Sequence, residues 1–188
     1  GTVDEEQGGA GAEAFARWVR RQPFTLDTLM VAEPTRSTPV HGHKGAARVE
    51  FEVLGKATHS AQPHLGQNAI TAAAHLILAL DQEHQRLQRV TAAALGPATL
   101  TVTLIQGGVG LNVVPDACRL SVDRRVVQGE QAVAVTTGLR ALAQRSSPLP
   151  VSTRVIREMD PFYQAPDTHW LRQLTEWSGH AQAVVLAF

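Results

Sequence analysis

The stretch AARVEFEVLGK, which spans residues 46–56, decides the fold of this chain of 188 residues. Val49, Phe51 and Val53 alternate with charged residues, so that one face of the segment is apolar and the other is polar. Alternation with a period of two is typical of an antiparallel strand that is buried on one face only. The sequence therefore predicts a sheet with one covered face and one solvated face.

Helix and strand patterns follow this strand in a regular order. Asn68 is predicted to cap a helix, and a second helix is predicted to begin at Gly129. Alternating segments at 99–108, 118–126 and 150–156 predict three more strands, and a glycine-rich turn joins the first two. The apolar stripe of the first helix is predicted to consist of Ile70, Ala73, Ala74, Ile77, Leu78 and Leu87.

The predicted order of elements, over residues 42–156, is therefore β-α-β-β-α-β. Two helices on one face of a four-stranded antiparallel sheet is the ferredoxin-like way to bury such patterns. We therefore predict an α+β fold in which a ferredoxin-like domain is inserted into another layer of structure.

The flanking segments, 1–41 and 157–188, have the patterns of a single α/β layer that this module interrupts. Residues 28–32 predict a short buried strand, and residues 36–45, rich in proline and glycine, predict a loop at the domain boundary. Residues 165–179 predict an amphipathic helix, which an apolar strand follows. Because the chain starts within a motif and stops within a strand pattern, we expect it to be a fragment.

The composition excludes several classes of function. Lys and Arg together number 17, as do Asp and Glu, so the formal net charge is zero and no nucleic-acid or membrane partner is expected. The strand at 99–106 has no aromatic residue on which a base could stack, which argues against a ferredoxin-like RNA-binding domain. No apolar run is as long as a membrane span. Cys118 lies in a predicted strand, so we expect it in the core. It is the only cysteine, which allows no internal disulfide and favours the cytoplasm.

Carboxylates at two places are candidates for chemistry. Asp4, Glu5 and Glu6 are consecutive. Such a run either stabilises a helix N-terminus, or provides one carboxylate that binds a metal and another that transfers a proton. Glu33 follows the strand predicted at 28–32, where the carboxyl end of a strand can hold a ligand. The alternative for Glu33 is a solvated surface residue.

Polar residues in the predicted inserted domain form a second group of candidates. His59 and His64 flank a turn that contains a proline, and each is either a surface turn residue or a functional one. Asn112 offers a side-chain amide within a turn. Arg124 and Arg125 are adjacent in a strand and must point to opposite faces, so at most one of them serves a given site.

Taken in order, these motifs resemble one metallopeptidase family over essentially the whole chain. The motifs are TVDEEQGGAGA, VAEPT, HKG, THSAQPHLGQNAI, IQGG and NVVPDACRLSVDRR. They resemble the family of acetylornithine deacetylase, succinyl-diaminopimelate desuccinylase, aminoacylase and glutamate carboxypeptidase, which is peptidase family M twenty. The resemblance implies a two-metal catalytic domain, at 1–41 and 157–188, that a ferredoxin-like dimerisation domain at 42–156 interrupts.

The resemblance also implies roles for the candidate residues. Glu5 matches the general base that deprotonates a metal-bound water, and Glu6 and Glu33 match metal ligands. The implied cofactor is a pair of zinc ions, with cobalt as the alternative metal. The family's His-x-Asp ligands, bridging Asp and final His have no counterpart here, and we expect this chain to bind metal poorly.

The remaining matches concern the substrate. His59 matches a histidine that reaches across a homodimer and stabilises the tetrahedral oxyanion, and His64 is then secondary. Asn112 and Arg125 match residues that bind the substrate carboxylate, for which an arginine fork is suited. The resemblance therefore implies a zinc-dependent amidohydrolase of N-acyl amino acids or small peptides. The alternative is a catalytically incompetent fragment that serves as a homodimerisation module.

Overall fold

A computed structural model describes residues 9–90 and 94–186 of the chain. It divides the chain into two compact units, Gly1–Ser37 and Thr38–Phe188. Within the described ranges, no helix is both long enough and apolar enough to cross a bilayer. The predictions for Glu5 and Glu6 lie outside the described residues.

Among its described residues, the first unit forms helix α1 at Ala10–Val19. The prediction of a buried strand at residues 28–32 is wrong, because this segment is exposed and forms no strand. The side chains of Leu29, Met30 and Val31 are each more than 60% exposed. A strand needs a hydrogen-bonded neighbour, and no described strand pairs with this segment.

The second unit contains the module that the alternating patterns predict. Its elements agree with the predicted order, and the mixed α+β class is confirmed. In chain order they are β1 (Val40–His43), β2 (Gly45–Leu54), β3 (Thr58–His59), a 3-10 turn (Pro63–Leu65), α2 (Ala69–Gln88), β4 (Thr99–Gly107), β5 (Val113–Val114), β6 (Ala117–Val126), α3 (Ala132–Ser146), β7 (Val151–Met159), β8 (Phe162–Tyr163), α4 (His169–Ser178) and β9 (Val184–Leu186).

The main sheet has four antiparallel strands in the order β4-β6-β2-β7. On its covered face, Phe51 of β2 lies opposite Leu120 of β6, and both are fully buried. Helices α2 and α3 supply the other side of this core, with Leu76 and Leu80 buried in α2. The open face carries the charged residues of the alternation, and β4 is an edge strand.

Helix α2 begins where the sequence predicts, but it faces the core with different residues. The Asn68 side chain accepts a hydrogen bond from the Thr71 N–H at 3.0 Å, so the predicted cap is confirmed. The predicted stripe is wrong for Ile70 and Leu78, which are 40% and 62% exposed, and for Ala74, which is also exposed. The buried positions are Ala69, Ala72, Ala73, Leu76, Leu80 and Leu87.

A second, smaller sheet replaces part of the loop predicted at 36–45. Val40–His43 is strand β1, which pairs antiparallel with β8 and parallel with β9. The buried His41 ring binds through Nδ1 to the Gln164 carbonyl at 2.7 Å. A Cβ on Gly42 would lie 3.0–3.1 Å from atoms of Leu95, Phe162 and Tyr163, so the glycine permits close packing in this sheet.

Candidate functional site

The structure brings His59 and Asn112 together although they are far apart in sequence. Strand β3 pairs with β5, so that His59 lies opposite Val113. The Ser60 N–H also donates to the Asn112 carbonyl at 2.9 Å. Both His59 and Asn112 are exposed at this small two-stranded sheet. The pairing therefore brings the backbones of His59 and Asn112 together, and both side chains are open to solvent.

The backbone around His59 fixes the tautomer of its ring. The Ala61 N–H donates to His59 Nδ1 at 3.1 Å. A ring nitrogen that accepts a hydrogen bond carries no proton, so the proton of the neutral imidazole lies on Nε2. The exposed ring thus presents Nε2–H as a hydrogen-bond donor. His64 lies in the adjacent 3-10 turn and is exposed.

The turn after His59 is held in a single shape by a close backbone approach. Lys56 and Gln67 exchange two backbone hydrogen bonds of 2.9 Å, which close the loop that contains His59. A Cβ on Gly66 would lie 2.5 Å from Thr58 Cγ2 and 2.8 Å from the Lys56 carbonyl oxygen, so only glycine fits here. This loop therefore gives His59 a well-defined backbone position.

Arg124 and Arg125 point to opposite faces of β6, as the strand geometry predicts. Arg124 is buried beneath the helices, where it forms an ion pair with Glu130 at 2.6 Å. Arg125 lies on the open face, where its Nε donates to Asp123 Oδ1 at 2.8 Å. The Arg125 Nη groups form no hydrogen bond or ion pair within residues 9–90 and 94–186. Arg125 is thus the arginine that can bind an external anion.

Arg125 is far from His59 and Asn112 within one copy of the chain. The loop that carries Asn112 leads into the start of β6 at Ala117, whereas Arg125 is next to its last residue. At about 3.3 Å per residue, Ala117 and Arg125 are roughly 25 Å apart. Asn112 and Arg125 therefore cannot bind the same small carboxylate within a single copy.

Lys44, within the motif HKG, is a charged residue of this region to which the sequence assigns no role. It is buried, and its Nζ donates to the Pro97 carbonyl at 2.8 Å. Burial lowers the pKa of Lys44 below the usual range, and the charges of Arg125 and Arg124 lower it further. The end of β6 is therefore a region of positive potential.

The described residues do not form a metal site. Within residues 9–90 and 94–186, no group of three or more His, Cys, Asp or Glu side chains could hold a metal ion. Glu33 is exposed, and its carbonyl accepts a hydrogen bond from the Thr35 N–H at 2.7 Å. Carboxylates without imidazole are also a poor donor set for tight zinc binding. The described part of the chain does not account for a zinc pair.

A family model described as a peptidase dimerisation domain matches residues 41–148. This range begins in β1 and ends just after α3, so it covers most of the βαββαβ module. The match places the two-stranded sheet beside His59 and Asn112, and the strand of Arg125, within that domain.

Two curated proteins show the similarity at the level of sequence. An acetylornithine deacetylase of Myxococcus xanthus is 33% identical over an alignment of 198 positions. The alignment covers 98% of this chain and 50% of that protein. A probable carboxypeptidase of Aspergillus clavatus is 35% identical over 135 residues, which cover 68% of this chain and 31% of that protein. The chain thus spans half or less of the length of these relatives.

A solved structure shows the similarity at the level of the fold. The aminopeptidase PepT of Bacillus cereus superposes with a TM-score of 0.72 at 20% identity. The superposition covers 98% of this chain and 48% of that one. A likeness at this identity concerns the architecture alone.

Proposed function

The chain belongs to the metallopeptidase family that carries this dimerisation domain, and from this premise we propose that it is part of a zinc-dependent amidohydrolase. Its substrates are N-acyl amino acids or related small peptides with a free carboxylate. Residues 1–41 and 157–188 contribute to a catalytic domain, residues 42–156 form the dimerisation domain, and the enzyme works in the cytoplasm as a homodimer. Glu5 acts as general base, and Glu6 and Glu33 as metal ligands.

The observation that carries this proposal is the separation of His59 from Arg125 within one copy. Two substrate-binding groups at opposite ends of a strand of roughly 25 Å serve one small molecule only if a second copy supplies one of them. His59 of one copy, with Asn112 beside it, then faces Arg125 of the other. The Nε2–H of His59 is the donor that stabilises the oxyanion of the tetrahedral intermediate.

The edge of the main sheet supports the homodimer. Strand β4 has no neighbour on its outer side within the described residues, and its Leu104 and Ile105 are 60% and 55% exposed. Leu78 of the adjacent helix α2 is 62% exposed. An unpaired edge beside apolar side chains favours pairing with another strand. A second copy of β4 would satisfy the edge and cover these residues.

Arg125 supports a substrate with a free carboxylate. Its Nε is occupied by Asp123, and the two Nη groups form the planar fork that matches a carboxylate in a bidentate pair. The fork would then bind the carboxylate end of the substrate, and the acyl group would lie outside it. Deacylases and carboxypeptidases share this requirement.

The first test is a calorimetric zinc titration, paired with an assay for hydrolysis of N-acetyl amino acids. Two tight zinc sites and a turnover that Glu5→Gln abolishes are expected if the chain is a working enzyme. Absence of stoichiometric zinc and of turnover would refute the enzyme for this chain. A dimer that persists under those conditions would favour the homodimerisation module.

The second test asks whether His59 acts in the partner copy. His59→Ala and Arg125→Ala are each expected to be inactive as homodimers. After subunit exchange, half of the dimers combine the two variants and hold one intact site, so about a quarter of wild-type activity should return. A mixture that stays inactive, although exchange is shown by mass spectrometry, would refute action across the dimer.

A further inference from the structure

We infer that Asp123 is a positioning residue that fixes the Arg125 guanidinium for a substrate carboxylate. The inference rests on the proposed role of Arg125. Asp123 accepts hydrogen bonds at both carboxylate oxygens, from Arg125 Nε to Oδ1 and from Arg48 Nε to Oδ2, each at 2.8 Å. The three side chains share the open face of the sheet.

The bond to Asp123 leaves the two Nη groups of Arg125 available to a ligand. A guanidinium can bind a carboxylate through the edge that includes Nε or through the fork of its two Nη groups. Asp123 occupies Nε, so the Nη fork is the part that can receive an external carboxylate. An arginine that is already held loses less side-chain entropy when it binds, and this favours binding.

Arg48 has a separate part in the arrangement, because it holds Asp123 from the neighbouring strand. Arg48 of β2 is the direct cross-strand partner of Asp123. The pairing of β2 with β7 has a register shift between Arg48 and Val49, and such a bulge can change the direction in which a side chain points. With Arg48 on one oxygen and Arg125 on the other, the carboxylate cannot rotate without losing a bond.

The charges around Asp123 leave room for one more anion. Of four basic side chains in this region, three pair with two carboxylates. The ion pairs join Arg48 and Arg125 to Asp123, and Arg124 to Glu130, and they leave Lys44 without a carboxylate partner in the described part of the chain. The positive surplus lies where the Arg125 fork is available, so a carboxylate ligand would reduce it.

The test compares Asp123→Asn with Glu52→Gln in the full chain. Glu52 accepts a bond from Arg119 at 2.9 Å on the same face, and its side chain is 29% exposed against 19% for Asp123. It is therefore a matched control that does not touch Arg125. The probes are N-acetyl-L-alanine and its neutral amide, whose dissociation constants are measured by NMR titration. The ratio of the two dissociation constants, amide to acid, measures the preference for the carboxylate over the amide.

Opposite signs distinguish positioning from simple electrostatics. Both substitutions remove a negative charge, which by itself would strengthen the binding of an anion. If Asp123 positions Arg125, Asp123→Asn is expected to lower the carboxylate preference about tenfold, because a charge-assisted fork becomes mobile. Glu52→Gln is expected to keep or slightly raise the preference. Arg48→Gln is expected to give a partial loss, with the fold checked by its amide spectrum.

The outcomes separate this inference from the proposed function. A preference that Arg125→Lys removes and Asp123→Asn preserves would overturn the positioning role alone. No preference for the acid in the wild-type chain would overturn the carboxylate site and the inference with it. The ¹⁵Nε–¹H signal of Arg125 gives a readout without ligand. Its exchange with water should accelerate in Asp123→Asn and stay unchanged in Glu52→Gln, and equal rates in all three proteins would refute the inference.

Discussion

Glu130→Ala should destabilise the protein more than any other single change to the ion pairs of the main sheet. Its partner Arg124 has a side chain that is only 5% exposed, whereas the Glu130 side chain is 28% exposed. Glu130 Oε1 lies 2.6 Å from Arg124, and Oε2 accepts the Val127 N–H at 2.9 Å. Removal of Glu130 therefore leaves a buried cation and a backbone donor without their partner.

The loss of stability depends on which member of the pair stays buried without its partner. Loss of one member of a buried pair costs about 3–5 kcal/mol, because the remaining charge stays desolvated. Lys44 lies close enough to Arg124 to add repulsion once Glu130 is gone, since the charge of Arg124 contributes to lowering the pKa of Lys44. Arg124→Met should cost less, about 1–2 kcal/mol, because Glu130 can turn towards water and keep its bond to Val127.

Urea unfolding of the two single variants and the double variant measures these free energies. The double variant is expected to be more stable than Glu130→Ala alone, since the methionine leaves no buried charge. Glu83→Ala is the control, because Glu83 pairs at 2.7 Å with an Arg86 side chain that is 62% exposed, and it should cost at most about 0.5 kcal/mol. Additive effects, or an Arg124→Met loss as large as that of Glu130→Ala, would refute the reasoning.

Three further predictions concern single residues. The pKa of Lys44 is lowered in the folded protein, so just below the ordinary lysine pKa of about 10.4 the unfolded chain binds more protons than the folded chain. The free energy of unfolding should therefore rise with pH in that range. Urea unfolding across that range should show the rise in wild type and not in Lys44→Met; equal slopes would contradict it. Burial raises the pKa of the Cys118 thiol, so a thiol reagent should label it only after denaturation, and rapid labelling of the native chain would contradict this. Asn68→Ala should cost about 1 kcal/mol in urea unfolding and Asn68→Asp much less, because only the alanine cannot accept from Thr71.

The alternating strands could be predicted from the sequence because their pattern determines which side chains face the core. In β2, a shift by one residue would bury Glu50 and Glu52 in place of Phe51, so the register is fixed by the cost of burying charge. Helix α2 has no such constraint. Between residues 69 and 80 it is apolar on nearly every side, so several stripes satisfy helical spacing. The sheet beneath it selects the buried stripe.

Two segments were predicted wrongly because a strand depends on its neighbours more than on its own residues. Residues 28–32 have the apolar composition of a strand but no described partner, and they are exposed. Residues 40–43 contain two histidines and a glycine, yet they form β1 because β8 and β9 lie on either side. Local propensity is a weak guide when the backbone partners come from residues far along the chain.

The candidate site shows a different limit of sequence reasoning, in which nearness along the chain misleads. Asn112 and Arg125 belong to a single short motif, which suggests that they serve one ligand together. Most of the residues between them form the extended strand β6, and extension is the conformation that separates two residues the most. His59, which is distant in sequence, lies beside Asn112 because β3 pairs with β5. A motif of this kind can define one small site only if two copies meet, and the sequence of one copy cannot show which end of the strand faces the other.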